Sequence, residues 1–194
     1  MLSHKKSLDI LKKTNALLEG HFVLSSGLHS SKYIQCAKLL SYPVLAEKIC
    51  KSLANKIKKK YKKIDLILAP AMGGVIVGYE IARQLGVPAV FFERVDGEFC
   101  LRRGFNISPN ARCLMVEDII TTGLSSRECI SAIKDYSNNV IGATCLVDRS
   151  MGNADLGVEL VSLTQLKIET YKKQDIPKWL EAIPVTKPGS RDLK

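Results

Sequence analysis

Apolar residues along this chain repeat with two spacings, one typical of amphipathic helices and one typical of buried strands. The helical spacing predicts helices over residues 6–18, 43–60, 75–85 and 126–136. Short apolar runs predict an extended segment at 22–37 and strands at 64–69, 89–93, 112–116, 140–147 and 158–161. Strands that alternate with helices form parallel sheets covered by helices on both faces. The pattern therefore predicts an α/β fold, as one domain spanning residues 1–194.

Two segments depart from this alternation. Residues 94–110 form a polar, hairpin-like insertion that contains Gly97, Gly104 and Pro109, and insertions of this length are often lids over a site. Residues 167–194 carry three prolines and predict a short helix around Trp179, followed by an irregular tail.

The composition is that of an ordinary globular protein, with 46% hydrophobic and 25% charged residues, and it argues against several classes. No apolar run approaches the roughly twenty residues of a membrane span, and the Lys-rich start lacks the apolar stretch of a signal peptide. The six cysteines include no Cys-x-x-Cys pair, and the three histidines have no partner at metal-ligand spacing. We therefore expect a cytoplasmic protein with reduced thiols and no zinc site.

The net charge of +10 is compatible with nucleic acid, an anionic membrane surface or a small polyanionic substrate as partner. Much of the excess lies in the run from Lys56 to Lys63, which closes a predicted helix. Cations in a last helical turn complement the helix dipole, and no arginine is interleaved with these lysines. The run is therefore interpreted as a solvated helix end, and we expect no nucleic-acid or membrane partner.

Glu117 and Asp118 stand side by side at the end of an apolar run, and a small, hydroxyl-rich turn at residues 121–125 follows them. In α/β proteins the carboxyl ends of the strands border the ligand crevice. The turn offers backbone amides at the start of a helix, which can bind a phosphate. The carboxylates are acceptors for the two vicinal hydroxyls of a ribose. The pattern predicts a site for a ribose 5-phosphate group.

A simpler interpretation of these residues is a helix cap, with Ser125 or Ser126 as N-cap and Glu128 reaching back to it. Two neighbouring ionised carboxylates, however, repel each other and lower stability unless a ligand or a cation uses them. The acid pair therefore favours a functional site, whether or not the cap also forms.

This segment resembles the phosphoribosyl pyrophosphate (PRPP) motif of the type I phosphoribosyltransferases. Other segments narrow the resemblance to the orotate phosphoribosyltransferase family, and they lie at residues 20–33, 69–74, 92–98, 101–105, 146–149 and 187–191. The resemblance implies a type I phosphoribosyltransferase-like α/β fold, with a small N-terminal hood, mainly residues 20–40, and a flexible lid at about 94–110. It also implies transfer of ribose 5-phosphate from PRPP to orotate, with Mg²⁺ carried mainly by pyrophosphate, and a homodimer with shared active sites.

The same resemblance assigns residues to both substrates and to catalysis. Those expected to bind PRPP are Gly73, Arg94, Glu117, Asp118, Ile119, Ile120, Thr121, Thr122, Gly123, Leu124 and Ser125. Those expected to bind orotate are Ser26, Gly27, Tyr33, Thr121 and Arg149, and those expected to act in catalysis are Arg102, Arg103 and Asp118.

Departures from the family pattern concern cations. Gly73 stands where many relatives have a lysine, and Ser25 stands where some relatives have one. The lid also lacks the usual lysines. Arg94 is expected to reach the pyrophosphate in the neighbouring subunit's site, while Arg102 or Arg103 is expected to replace the lysines.

Several alternatives stay open at the level of residues. Residues 69–74 fit a plain strand-to-helix turn as well as a pyrophosphate loop, and Arg102 and Arg103 also fit a polar hairpin surface. Arg149 also fits an ion pair with Asp148 or Asp155. Two other functions are compatible with the acid pair: transfer to another base, and PRPP sensing by a regulator that binds nucleic acid and does not catalyse the transfer.

Overall fold

A computed structural model describes residues 1–24 and 26–188 of the chain. Its helices and strands, in chain order, are α1 His4–Lys13, β1 Leu17–Val23, β2 His29–Ile34, α2 Cys36–Leu40, α3 Pro43–Lys60, β3 Leu66–Pro70, α4 Gly73–Leu85, β4 Ala89–Val95, β5 Glu98–Leu101, β6 Cys113–Ile120, α5 Leu124–Lys134, β7 Val140–Asp148, β8 Leu160–Gln165, β9 Thr170–Tyr171, α6 Lys178–Glu181 and β10 Val185–Thr186. The larger sheet has the strand order β5-β4-β3-β6-β7-β8. All neighbouring pairs are parallel except β4 and β5, which confirms the predicted α/β fold.

Helices cover both faces of this sheet, as predicted. One apolar cluster packs α1, α3 and α4 against one face, and a second cluster packs α5 against the other. All of β3 and the first five residues of β6 are buried, because a strand at the centre of a parallel sheet has no solvent face. The carboxyl end of β6 is therefore fixed in position by packing from both sides.

A smaller sheet, with the order β10-β1-β2-β9, corresponds to the expected hood. β1 and β2 form an antiparallel hairpin, and Gly27 in its turn has a φ of 79°. The predicted helix over 6–18 is wrong beyond Lys13, because Asn15 has a left-handed φ of 53° that an α-helix cannot continue. The predicted extended segment at 22–37 is wrong at its end, where α2 begins at Cys36. Ser25 lies outside the described residues.

The predicted hairpin-like insertion is present, although its first two residues belong to β4. Asp96 and Gly97 have φ values of 51° and 90°, which suit the two-residue turn between β4 and β5. Residues 102–112 return to the sheet through turns and irregular backbone. Phe105 in this return packs edge to face on Phe91, with 5.4 Å between the ring centroids.

The boundaries of several elements in the second half of the chain differ from the prediction. β6 continues to Ile120 rather than stopping at residue 116, because its pairing with β7 extends to Asp148. β8 covers residues 160–165 instead of 158–161. The helix around Trp179 is confirmed, but residues 185–186 pair with β1 and are not irregular; the end of the expected tail, 189–194, lies outside the described residues. Within the described segments, no helix has the length and apolar character needed to cross a membrane.

Candidate active site

The acid pair lies at the carboxyl end of β6, in the middle of the larger sheet. Glu117 is 8% exposed, and the backbone amides of Asp118 and Ile119 donate to the two carboxylates at 3.1 and 2.7 Å. Burial and, to a smaller extent, the neighbouring Asp118 raise the pKa of Glu117 to about 9. Burial also raises the pKa of Asp118. Two interacting carboxyls of this kind share a proton near neutral pH, so the pair offers both a hydrogen-bond donor and acceptors.

Gly73 brings the start of α4 against this pair. A Cβ added to Gly73 would lie 3.0 Å from Oδ1 of Asp118 and 3.2 Å from its other carboxylate oxygen. Gly73 is the first residue of α4, so the helix dipole points its positive end toward Asp118. The predicted loop at 69–74 therefore borders the acid pair, and glycine at 73 is what permits the close approach.

The turn after β6 leads directly into α5. The helix begins at Leu124 and its N-cap is Gly123, with a φ of 79°, so the predicted start near Ser126 is wrong by two residues. Gly123 has no side chain to cap α5, and the predicted cap by Ser125 or Ser126 with Glu128 is wrong; instead the Leu124 amide donates to Thr122 Oγ1 at 3.4 Å. Bulkier N-cap residues are disfavoured at this φ. The amides of Leu124, Ser125 and Ser126 precede the first helical hydrogen bond, from Arg127 N to Gly123 O, and the three residues line one cavity.

Contacts with the loop after β7 fix this turn. Nη1 of Arg127 donates to Thr122 O at 3.2 Å and to Asp155 O at 2.8 Å. A Cβ at Gly123 would lie 2.6 Å from Cδ2 of Leu156, so the backbone of the turn packs directly on that side chain. Sequence reasoning missed Arg127 and Leu156, because both act on the turn from outside the motif and neither belongs to a recognisable spacing.

A cavity of about 360 Å³ opens over the turn. Its lining residues are Arg94, Glu117, Ile119, Ile120, Thr121, Thr122, Gly123, Leu124, Ser125, Ser126 and Glu128. The structure thus brings together nine of the residues predicted to bind PRPP. Gly73 and Asp118 do not line this cavity, and they lie against each other beside it.

The three arginines of the hairpin segment separate into two groups. Arg94 lines the cavity of its own chain, where its guanidinium pairs with Glu128. Its expected contact with the pyrophosphate in a neighbouring subunit's site stays a prediction. Arg103 binds Glu93 with two hydrogen bonds of 2.7 and 3.1 Å, and Arg102 lies 3.6 Å from the same carboxylate. Because side chains alternate along a strand, Glu93 and Arg94 lie on opposite faces of β4. Arg102 and Arg103 are therefore held away from this cavity.

Arg149 follows β7, and its backbone amide donates to Ile120 O at 2.8 Å. Its Nε is buried and has no hydrogen-bond partner within the described protein, and burial lowers the pKa of the guanidinium. The alternative of an ion pair with Asp148 or Asp155 is not observed. Asp148 instead accepts hydrogen bonds from Ser150 and the Gly152 amide, which shapes the loop that carries Arg149.

The hood residues lie apart from the cavity. Ser26 and Gly27 are exposed at the tip of the β1–β2 hairpin, and the hydroxyl of Tyr33 donates to Gln35 at 2.9 Å. Burial raises the pKa of Tyr33. The hairpin is also tied to the segment between α6 and β10 through His21, whose Nδ1 lies 3.2 Å from Ile183 O.

Among the described residues, no group of three or more His, Cys, Asp or Glu side chains could hold a metal ion by itself. Mg²⁺ in phosphate-binding sites is usually held by one or two carboxylates together with substrate phosphates. The two carboxylates at the end of β6 fit that donor set.

Comparison with known proteins agrees with this geometry. The family model described as "Phosphoribosyl transferase domain" matches residues 41–156. The chain is 51% identical over 185 residues to the orotate phosphoribosyltransferase of Methylobacterium sp. (strain 4-46), covering 95% of this chain and 94% of that protein. It is 51% identical to the protein of the same name from Caldicellulosiruptor bescii, covering 95% and 96%.

Among solved structures, orotate phosphoribosyltransferase from Aeropyrum pernix superimposes with a TM-score of 0.68 at 29% identity, covering 81% of this chain and 92% of that one. The family model matches more than half of the chain, and the curated relatives align with it over nearly its whole length. Both findings lead to the same family. The chain belongs to the phosphoribosyltransferase family, in its orotate phosphoribosyltransferase branch.

Proposed function

We propose that this chain transfers the ribose 5-phosphate group of PRPP to orotate, giving orotidine 5′-monophosphate and pyrophosphate in pyrimidine synthesis. One observation carries the proposal: the carboxyl of Glu117 and the first amides of α5 line the same cavity. Amides at a helix N-terminus bind phosphate, and a protonated acid pair can donate to one ribose hydroxyl and accept from another. The cavity therefore has complementary groups for both ends of a ribose 5-phosphate.

For PRPP, the turn at 121–125 would hold the 5-phosphate and the acid pair would hold the ribose hydroxyls. Arg94 is the cation on the cavity wall and would meet the charged phosphates from its own chain. The start of α4 at Gly73 would admit the pyrophosphate close to its backbone, because no side chain stands there.

The transfer breaks the C1–O bond of PRPP as a ring nitrogen of orotate attacks through a transition state with oxocarbenium character, so no protein nucleophile is needed. The residues act by positioning and by electrostatic stabilisation. Asp118 would stabilise the developing positive charge of the ribose through its hydroxyls. Arg102 or Arg103 would leave Glu93 when the hairpin closes and would then neutralise the departing pyrophosphate.

For orotate, Arg149 is the best-supported contact. Its buried, unpartnered Nε supports binding of a planar anion, because a guanidinium can donate two hydrogen bonds to one carboxylate. Thr121 stands on the same edge, at the end of β6. Ser26, Gly27 and Tyr33 would close over the base from the hood.

Mg²⁺ would be carried mainly by the pyrophosphate of PRPP, and Glu117 and Asp118 are the carboxylates that could share it. When bound, the ion neutralises phosphate charge and so favours departure of pyrophosphate.

The whole chain, 1–194, would act as one domain and as a cytoplasmic homodimer. The outward face of α4 supports the dimer, since Met72, Ile76 and Tyr79 are 85%, 52% and 67% exposed next to the site. Contiguous apolar surface of this kind marks protein–protein contacts. Light scattering on the purified chain, with Tyr79→Glu as the disrupting variant, would test the dimer.

The reaction itself is tested by the loss of orotate absorbance when purified protein is mixed with PRPP and Mg²⁺. Adenine, hypoxanthine and uracil serve as competing acceptors. Consumption of orotate alone is the expected result. Turnover of another base, or PRPP binding without turnover together with salt-dependent nucleic-acid binding, would replace the proposal with one of its two alternatives.

A further inference from the structure

The side chain of Glu128 lies between two neighbouring cavities and lines both. It lines the phosphate cavity described above and also a second cavity of about 420 Å³ between the β4–β5 hairpin and α5. Arg94 lines both cavities as well, and its Nη2 donates to Oε2 of Glu128. The ion pair therefore connects the hairpin to the helix whose N-terminus forms the phosphate site.

Three contacts fix the guanidinium of Arg94. Besides Glu128, Nη1 donates to Gly97 O at 2.5 Å, and the guanidinium carbon lies 4.1 Å from the centroid of the Phe99 ring. Two of these contacts belong to the hairpin itself and move with it. Of the three contacts, only the one with Glu128 connects Arg94 to α5, whose N-terminus forms the phosphate site.

The charges around the two cavities explain why that contact matters. Among the described residues that line the phosphate cavity, Arg94 is the only cation. The second cavity is lined by two further carboxylates, of Glu98 and Asp135. A long arginine side chain released from Glu128 would have those carboxylates as competing partners, on the side away from the phosphate site.

We propose that Glu128 is a positioning residue, which holds Arg94 at the phosphate cavity and prevents its guanidinium from turning into the second cavity. This inference rests on the proposed function, because it takes the PRPP phosphates as the anion that Arg94 meets. An exposed ion pair contributes little to folding stability, so the consequence of losing Glu128 is expected in PRPP affinity rather than in the fold.

The test compares Glu128→Ala and Glu128→Gln with Glu98→Gln as matched control, which removes a carboxylate from the second cavity without touching Arg94. We measure the KM of both substrates, kcat, the melting temperature and PRPP binding by calorimetry. Glu128→Ala should weaken PRPP binding by roughly threefold to tenfold, the range expected when one long side chain loses its pre-ordering. The orotate KM and the melting temperature should stay at wild-type values.

Glu128→Gln should recover most of the PRPP affinity, because its amide oxygen still accepts from the guanidinium. The control should behave as wild type. In an Arg94→Ala background, Glu128→Ala should have no further effect, since the two residues act through one contact.

Unchanged or tighter PRPP binding by Glu128→Ala would overturn the inference, tighter binding meaning that Glu128 competes with PRPP for Arg94. An equal loss for both substrates with a lower melting temperature would also overturn it, in favour of a structural role. Failure of the proposed function gives a different result, namely no orotate turnover by the wild type, and calorimetry with PRPP still compares the variants.

Discussion

Replacement of Gly123 by alanine should damage the phosphate turn in two separable ways. Its φ of 79° is left-handed, which costs an alanine about 1–2 kcal/mol. The added Cβ would also lie 2.6 Å from Leu156 Cδ2 and 3.2 Å from the Cβ of Ala154, and overpacking of this kind costs about 1–3 kcal/mol more. Gly123→Ala should therefore lower the free energy of unfolding by about 2–5 kcal/mol.

Gly157 provides the matched control, because it has a similar φ of 68° but nothing within 4 Å of an added Cβ. Gly157→Ala should cost only the backbone strain, about 1–2 kcal/mol. Urea unfolding of both variants isolates the packing contribution as their difference. The KM for PRPP should rise in Gly123→Ala alone, because the strain and the displaced turn disturb the amides of α5.

A second substitution tests the cause of the packing loss. Leu156→Ala removes the atom in contact, so combining it with Gly123→Ala should cost less than the two single changes added together. Equal stability of Gly123→Ala and Gly157→Ala, or strict additivity with Leu156→Ala, would refute the reasoning.

Three further predictions concern charged groups. Because the pKa of Glu117 is about 9 in the folded chain against 4.5 ordinarily, folding retains a proton between these values and stability falls as pH rises, by up to about 1.4 kcal/mol per unit. Glu117→Gln should reduce this slope in urea unfolding at pH 5 to 8, and the contribution of Asp118, whose pKa burial also raises, should remain. Arg149→Lys should raise the orotate KM by roughly 10- to 100-fold and leave the PRPP KM unchanged, since one charged hydrogen bond is worth about 1.5–3 kcal/mol; equal changes in both would contradict the assignment. Arg102→Ala and Arg103→Ala should each lower kcat while circular dichroism stays native, and wild-type turnover in both would remove them from catalysis.

Most of the fold could be predicted from the sequence, because buried parallel strands and amphipathic helices leave distinct spacings. The errors cluster where single backbone angles decide the outcome. Asn15 ends α1 five residues before the apolar pattern does, and Gly123 starts α5 two residues before the serines that looked like caps. Left-handed residues of this kind are set by tertiary contacts, such as the approach of Leu156 to Gly123, which a linear pattern does not contain.

The candidate site was predicted best where its residues are consecutive. Residues 117–125 come from the end of β6, the turn after it and the first residues of α5, so the order of the chain already places most of them in one cavity. Arg94 reaches the same cavity from β4, and its pairing with Glu128 depends on how the hairpin crosses α5. The pairing of Arg102 and Arg103 with Glu93 is likewise a property of the return loop, which has no periodicity from which to predict it.

The features that make this site a binding site also lower the stability of the free chain. A buried acid pair must keep a proton, Gly123 adopts a conformation that only glycine takes readily, and the Nε of Arg149 is buried without a partner. Each departs from the rule that buried polar groups are satisfied and local conformations unstrained. On the proposed function, the ribose hydroxyls would partner the acid pair and the orotate carboxylate would partner Arg149, so ligand binding should stabilise the chain most at these two positions. PRPP should raise the melting temperature of the wild type more than that of Glu117→Gln. Orotate should raise the melting temperature of the wild type more than that of Arg149→Lys. Together the two results would assign each unsatisfied group to its own ligand.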